Sequence, residues 1–189
     1  MGKLAGCVIY EAGPIDASLD GGVSWRRELT PELQKMGCII LDPTDKPTDD
    51  FKEDENIHKH FAKLKSEGKY KQLHDEGRQI RNFDLRCCDK ADIIIAFIDT
   101  SITMCGTYEE IFNANQSKKP VLIFCKQGKE KIPNWIYWTV NVDHVFNDID
   151  ELVNFLIGID IGLIQPNGDY FKFFDWKKLL GKSSNSVYN

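Results

Sequence analysis

Ile93-Ile94-Ile95-Ala96-Phe97-Ile98-Asp99, followed shortly by Cys105-Gly106-Thr107-Tyr108-Glu109-Glu110-Ile111-Phe112-Asn113-Ala114, decides the fold class. The first part is an unbroken apolar run, as a strand buried on both faces of a parallel sheet requires. The second reads as a glycine turn leading into a helix that opens at Glu109. In open α/β sheets ligands bind beyond the carboxyl ends of the strands, in such strand-to-helix loops. A Gly-Thr pair there permits close backbone approach, and a helix start favours an anion. Glu110 therefore stands where a reacting carboxylate is useful.

Outward from this centre, strand and helix signals alternate. Gly6-Cys7-Val8-Ile9-Tyr10 predicts the first strand, and Glu11-Ala12-Gly13-Pro14-Ile15-Asp16 a tight turn at its end. Ser24 is placed to cap a helix starting at Trp25-Arg26-Arg27, with Pro31 either interrupting it or opening a second segment. Further strands are expected over residues 38–43, 91–99, 120–125 and 142–146. Residues 79–89 predict a helix delivering Phe83, Leu85 and Cys88 to the core, and Asp148 caps an amphipathic helix through Leu156. This alternation specifies an α/β fold, a doubly wound Rossmann-like (flavodoxin-like) sandwich with a five-stranded, mainly parallel sheet. Residues 45–78 are highly charged and read either as a lid-like insertion with one or two amphipathic helices or as a solvated structural loop. The aromatic extension over about 161–182, with Tyr170, Phe171, Phe173, Phe174 and Trp176, is expected to pack on the domain or on a neighbouring subunit.

Composition narrows the function classes. At 189 residues, 42% hydrophobic and 28% charged, the chain reads as one domain over 1–189, with neither the bias of disorder nor that of a membrane protein. No apolar run approaches the roughly 20 residues of a membrane helix. The N-terminus leads straight into the first strand, so no signal peptide is expected and the protein is read as cytoplasmic. A net charge of -5 argues against nonspecific nucleic-acid binding and leaves a small-molecule partner. The six cysteines are scattered without a Cys-x-x-Cys pair, so reduced thiols and no metal site are expected. Neither a Gly-x-Gly-x-x-Gly fingerprint nor a P-loop occurs, which disfavours NAD oxidoreduction and phosphoryl transfer.

Three ordered motifs carry a resemblance. Tyr10-Glu11-Ala12-Gly13-Pro14 is similar to the Tyr-x-x-Gly-Pro opening of the nucleoside 2-deoxyribosyltransferase family, which includes a nucleotide N-hydrolase branch. Asp84, eight residues before Asp92, resembles the family's paired aspartates, and residues 106–111 resemble its Gly-Thr-x-x-Glu-Ile nucleophile motif. Trp25-Arg26 after the glycine turn is similar to one branch of the superfamily. The resemblance spans roughly residues 6 to 125 without the insertion. One departure stands out: many of the transferases carry an aspartate two residues before the motif glycine, and this chain has Met104.

The resemblance implies cleavage of an N-glycosidic bond, with Glu110 as nucleophile and no cofactor or metal. A carboxylate beneath the anomeric carbon forms a glycosyl-enzyme while a second group handles the leaving group's proton. Asp84 is the candidate for that second role, and Tyr10 would fix the Glu110 rotamer. Gly13, Pro14, Gly106 and Thr107 are candidate substrate contacts. Trp25 and Arg26 are candidates to stack on a base or pair with a 5′-phosphate, and Asp92 is a candidate contact that reads more readily as structural. Each has a plainer reading: Glu110 as a solvated helix glutamate, Asp84 as a helical charge paired with Arg81 or Arg86, Tyr10 as a strand aromatic, Trp25 as core. Base exchange on a (deoxy)nucleoside comes first, hydrolysis of a nucleoside monophosphate second, a silent nucleotide-binding or sensor module third. A NAD glycohydrolase shares the carboxylate logic. The partners implied are the nucleoside or nucleotide, a free nucleobase and further copies of the chain as a homo-oligomer.

Overall fold

The computed structural model of the chain describes residues 2–47, 53, 55–166, 171 and 174. Strands β1 (Val8–Ala12), β2 (Ile39–Leu41), β3 (Ile93–Ile98), β4 (Val121–Cys125) and β5 (Val145–Phe146) form one sheet in the order β2-β1-β3-β4-β5. Every pairing is parallel; Tyr10 lies opposite Leu41 on one side and Ile94 on the other, and Ile94 lies opposite Val121. The winding reverses between β1 and β3, so the switch-point crevice opens at their carboxyl ends. The expected doubly wound, five-stranded α/β sandwich is the observed fold, and among the described residues the sheet is wholly parallel.

Among the described residues the layers are completed by the helices α1 (Val23–Lys35), α2 (Glu55–Ser66), α3 (Tyr70–Lys90), α4 (Cys105–Gln116), α5 (Asn134–Thr139) and α6 (Ile149–Asp160). Strand alternation divides the core. Ile9, Ile93, Ile95, Leu122 and Phe124 face one layer with Leu29 and Leu33 of α1 and Leu152 and Leu156 of α6. Tyr10, Ala12, Ile94, Ala96 and Ile123 face the other, with Cys88 of α3 and Ile111 and Ala114 of α4. In α1 the buried Trp25, Leu29 and Leu33 recur every four residues and make the single stripe that binds the helix to the sheet. Each leucine so buried contributes about 1.5–3 kcal/mol, so Leu29→Ala would strip the centre of that stripe. None of the described helices is long and apolar enough to cross a membrane.

Several boundaries differ from the sequence reading. β1 starts two residues later than expected, because Gly6 and Cys7 are held in turns by Gly37 and Leu4 carbonyls, and it runs on to Ala12. Ser24 lies inside α1 and does not cap it: Gly22 is the N-cap, the Asp20 carboxylate accepts from the amides of Gly22 and Ser24 at 3.0 and 2.8 Å, and the helix passes through Pro31. No boundary falls at residue 78, since α3 is one helix from Tyr70 to Lys90. Its partner α2 ends at Ser66, and the chain turns at Gly68, whose φ of 69° is costly for other residues. There the amides of Gly68 and Lys69 return to the carbonyls of Lys65 and Leu64 at 3.1 and 2.9 Å, closing a Schellman motif. The charged 45–78 stretch is thus largely a helical hairpin. Residues 142–144 form a 3-10 turn, leaving β5 only two residues. At the C-terminus Phe171 is buried and Phe174 packs beside it, whereas Tyr170, Phe173 and Trp176 lie outside the described residues.

Candidate active site

The carboxyl ends of β1 and β3 open into a cleft of about 1090 Å³. β1 brings Tyr10 to its floor, and the Gly13-Pro14 turn forms one wall. After β3 a loop closed on Asp99 leads to the other wall. Asp99 accepts from the Ser101 amide at 3.0 Å, Gln127 Nε2 at 2.6 Å and Lys126 Nζ at 2.7 Å, and its own amide donates to Met104 Sδ at 3.1 Å. α4 then starts at Cys105, so Gly106 lies in the helix's first turn and not in a turn before it. The consequence is orientation. Thr107, Glu110, Ile111 and Ala114 share the buried face of α4. Glu109 points elsewhere and forms a two-pronged ion pair with Arg81 of α3, its Oε2 lying 2.8 Å from Nε.

Glu110 Oε1 accepts a 2.7 Å hydrogen bond from the Tyr10 hydroxyl. Burial pushes the Glu110 carboxyl up to about 8, against the pull of the Tyr10 bond, and the nearby Asp84 charge adds to the rise. Burial followed by the Glu110 charge drives the Tyr10 phenol well above its ordinary value, so it stays a donor. Asp84 projects into the cleft from α3. Burial raises it to about 7, opposed by Lys46, whose Nζ lies 2.9 Å from Asp84 Oδ1 and 2.7 Å from Glu53 Oε1. The cleft's far wall comes from the hairpin: Phe61 and Ala62 of α2 and Gly77, Ile80 and Leu85 of α3 line it. His58 of α2 reaches across to the side chain of Asp16, just past the Gly13-Pro14 turn.

Tyr10, Gly13, Pro14, Asp84, Gly106, Thr107 and Glu110 therefore meet in one cleft. Three residues do not. Arg26 is 1% exposed and is spent on backbone: its guanidinium donates to the carbonyls of Glu11 at 2.9 Å, Gly13 at 3.4 Å and Gly22 at 2.6 Å, beside Asp42 at 3.4 Å. Trp25 lies in the core between Phe97 and Phe124, with ring centroids 5.4 and 5.6 Å away. A Cβ on Gly13 would stand 2.7 Å from Trp25 Cζ2, so only glycine lets the turn rest on the indole. The expectation that Trp25 and Arg26 contact a base or phosphate is thus corrected: they support the turn from behind. Asp92 sits at the opposite end of the sheet, where its carboxylate accepts from the Val8 amide at 2.9 Å and joins β3 to β1. Asp84 pairs with neither Arg81 nor Arg86 but with Lys46, which the sequence reading did not single out, and neither did it single out Glu53. Both lie in a run of alternating charges that carries no local signal of burial.

No protein-family model matches the sequence, and no curated protein is significantly similar to it. Solved structures do match. A 2-deoxyribosyltransferase from the psychrotolerant bacterium Bacillus psychrosaccharolyticus superposes with a TM-score of 0.56 at 19% identity, over 78% of this chain and 91% of that one. A conserved protein from Enterococcus faecalis V583 gives 0.51 at 14% identity, over 79% and 96%. A CMP N-glycosidase from Clostridium botulinum gives 0.46 at 14% identity, over 79% and 97%. The chain thus has the fold of a solved member of the family its motifs resemble.

Proposed function

We propose that this chain cleaves the N-glycosidic bond of a (deoxy)nucleoside or nucleoside monophosphate through a glycosyl ester on Glu110, and transfers the sugar to a second base. The observation that carries the reading is the 2.7 Å Tyr10–Glu110 bond at the switch-point crevice, with Asp84 on the helix opposite. Tyr10 holds Oε1, leaving Oε2 to attack the anomeric carbon. As the C–N bond breaks, its electron pair leaves with the base, and Asp84 supplies a proton to the base nitrogen. The oxocarbenium-like charge that develops favours an ionised Glu110, which offsets the burial that raises its pKa. A second base then attacks the anomeric carbon, the bond from that carbon to the Glu110 oxygen breaks to release the carboxylate, and the base's proton returns to Asp84. The fold shared with a 2-deoxyribosyltransferase is consistent with this chemistry.

Hydrolysis is the second reading, and Met104 favours it. Its side chain is buried at the start of α4 and its sulfur accepts from the Asp99 amide, so it offers an incoming base no carboxylate. Water needs no such partner. The test is to incubate the protein and its Glu110→Ala variant with deoxynucleosides and their 5′-monophosphates, with and without a second free base, and to resolve the products by chromatography. A new nucleoside formed only by the unmodified protein is the expected result. Free base without exchange would assign hydrolysis. Absence of product throughout would leave a nucleotide-binding module and remove Glu110 as nucleophile.

A further inference from the structure

At about 1090 Å³ the cleft exceeds the range of about 300–1,000 Å³ usual for small-molecule pockets, so a nucleoside alone leaves much of it unfilled. Its outer part is built by the helical hairpin. The 2.7 Å contact between His60 Nε2 and Glu76 Oε2 fixes the register of α2 against α3, so His58 lies level with Arg78. His58, Ala62 and Lys65 of α2, and His74, Arg78 and Arg81 of α3, face the cleft at three- and four-residue spacings. Six residues separate Arg78 from Asp84, about 9 Å at about 1.5 Å per residue.

Charge divides this cleft. Its inner end holds the carboxyl groups Glu110, Asp84 and Glu53, the last two beside Lys46. Arg81 is taken by Glu109. Farther out Arg78 and Lys65 line the wall, and among the described residues neither has a carboxylate partner. The chain as a whole carries a net charge of -5, so this basic face is local and not a general bias. His58 adds a donor at the level of Arg78. Both its ring nitrogens are shut off from water, and neither has a hydrogen-bond partner among the described residues. Buried polar groups in native folds are paired, so an unpaired imidazole on a cleft wall calls for a ligand atom. Against its Nδ1 rests the Asp16 carboxylate, which is 78% exposed and able to turn away into solvent. An anionic oxygen therefore already occupies the place that a phosphate oxygen would take.

Resting on the reading of Glu110 given above, we infer that Arg78 and His58 form a phosphate subsite on the hairpin, so that the substrate is a nucleotide and not a free nucleoside. Glu110 takes the anomeric carbon and Asp84 the base, which leaves the sugar's phosphate to reach outward along α3. The planar guanidinium of Arg78 offers parallel N–H donors to two phosphate oxygens, and the His58 imidazole donates to a third. Asp16 gives up its contact to the incoming phosphate. Lys65 and His74 continue the basic face outward and attract the anion as it approaches. The carboxyl groups at the inner end repel a phosphate, so the nucleotide enters in one orientation, base and sugar first.

Binding without turnover tests the subsite. The Glu110→Ala protein, which leaves its ligands intact, is titrated calorimetrically with the four common deoxynucleosides and with their 5′- and 3′-monophosphates. At least one monophosphate is expected to bind about 30-fold more tightly than its nucleoside, the scale of a charge-assisted hydrogen bond or two. The isomer preferred identifies the phosphorylated hydroxyl. Adding Arg78→Gln should bring that ratio within about 3-fold while nucleoside affinity holds. Lys71→Gln, which removes a hairpin cation outside this cleft, should leave the ratio intact. Asp16→Asn should raise the ratio about 3-fold, because the competing carboxylate is gone; a fall would remove His58 from the subsite. Equal affinities for nucleosides and nucleotides, a ratio that survives Arg78→Gln, or an equal loss from Lys71→Gln would overturn the inference. Turnover by the protein with Glu110 intact keeps the two proposals apart. Arg78-dependent nucleotide binding without any product retains the subsite and removes the glycosidic chemistry. Nucleosides and nucleotides cleaved alike, with no effect of Arg78→Gln, would retain the chemistry and remove the subsite.

Discussion

Removing the hydroxyl of Tyr10 isolates its contribution to Glu110. Its bond is the leading influence that draws the Glu110 carboxyl down, against burial, which drives it up to about 8. In Tyr10→Phe burial and the Asp84 charge remain, opposed by the Arg26 charge, so Glu110 ionises at higher pH and the acid limb of kcat/KM moves in that direction. A hydrogen bond to a charged group contributes about 1.5–3 kcal/mol, which predicts a loss of roughly 10- to 100-fold below that limb. The pH–rate profile of the variant checks this, and a profile lowered uniformly without displacement would contradict it. Other residues at the site differed in how far the sequence revealed them. Glu110, Asp84 and Tyr10 sit in motifs with family precedent, so their convergence could be anticipated. Arg26 and Lys46 could not be read the same way, because whether a cation is buried depends on which acceptors the folded chain brings to it. Arg26 meets three backbone carbonyls, two of them from the end of β1 and the turn after it, and Lys46 meets two carboxyls, one of them from α3. The same holds for Gly13, whose need for close approach appears only when Trp25 is in place beneath it.

Helix α3 links the sheet to the cleft wall, and its C-terminal carbonyls depend on one distant side chain. Lys119 Nζ, from the turn before β4, lies 2.7 Å from the carbonyl oxygens of both Cys88 and Ala91 and also bonds Asp89. A cation at a helix C-terminus complements both the orphan carbonyls and the dipole. Lys119→Met keeps the aliphatic stem and removes the donor, so a loss of about 1–2 kcal/mol is expected. Urea denaturation checks the loss. Hydrogen exchange should localise it to the last turn of α3, and an unchanged midpoint would show that water replaces the ammonium. A row of lysines at 118, 119, 126, 129 and 131 reads in sequence as one solvated face, and Lys119 departs from it because α3 ends beside the turn. The elements themselves were legible in proportion to their apolar signal. β3 and β4 are continuous aliphatic runs, and α6 carries its cap in Asp148, which accepts from the Glu151 amide at 2.8 Å. The first half of α3 is polar on most positions and includes Gly77, so its apolar stripe is thin and leaves a solvated loop as an equal reading of the sequence, whereas in the fold it packs against α2. The start of α4 was hidden for a similar reason: Cys105, Gly106 and Thr107 are poor helix formers, and Met104 provides no capping bond.

Across the whole molecule the fold buries carboxyl groups in a way that sets the sign of its pH dependence. Glu11, fully buried on the α1 side of β1, is raised from 4.5 to about 7 by burial, although the Thr30 hydroxyl donates to it at 2.9 Å. Glu110 is raised to about 8 and Asp84 from 3.8 to about 7. For each, the folded state binds its proton more tightly than the unfolded chain does. Stability from these groups is complete below about pH 4 and is lost as pH rises through 7 to 8, since the native state then holds protons that the unfolded state has released. Asp20 and Asp99 act with the opposite sign. Bonds from Ser18 and Ser24 hold Asp20 well below the carboxylate range, and Lys126, Ser101 and Gln127 do so for Asp99 against burial. Their contribution is present at neutral pH and disappears in strong acid. The two sets together predict a thermal midpoint that is highest in mildly acidic solution and declines toward pH 8. Glu11→Gln tests the alkaline arm. An amide can keep a bond to Thr30 but does not ionise, so the decline should shrink by roughly 3 kcal/mol, at about 1.4 kcal/mol per pH unit between 4.5 and 7. At pH 8 the variant should therefore equal or exceed the unmodified protein in stability, and at about pH 4 it should not. Parallel curves for the two proteins would mean that Glu11 ionises in the folded state as readily as in the unfolded one, with Arg26 and Thr30 balancing its burial.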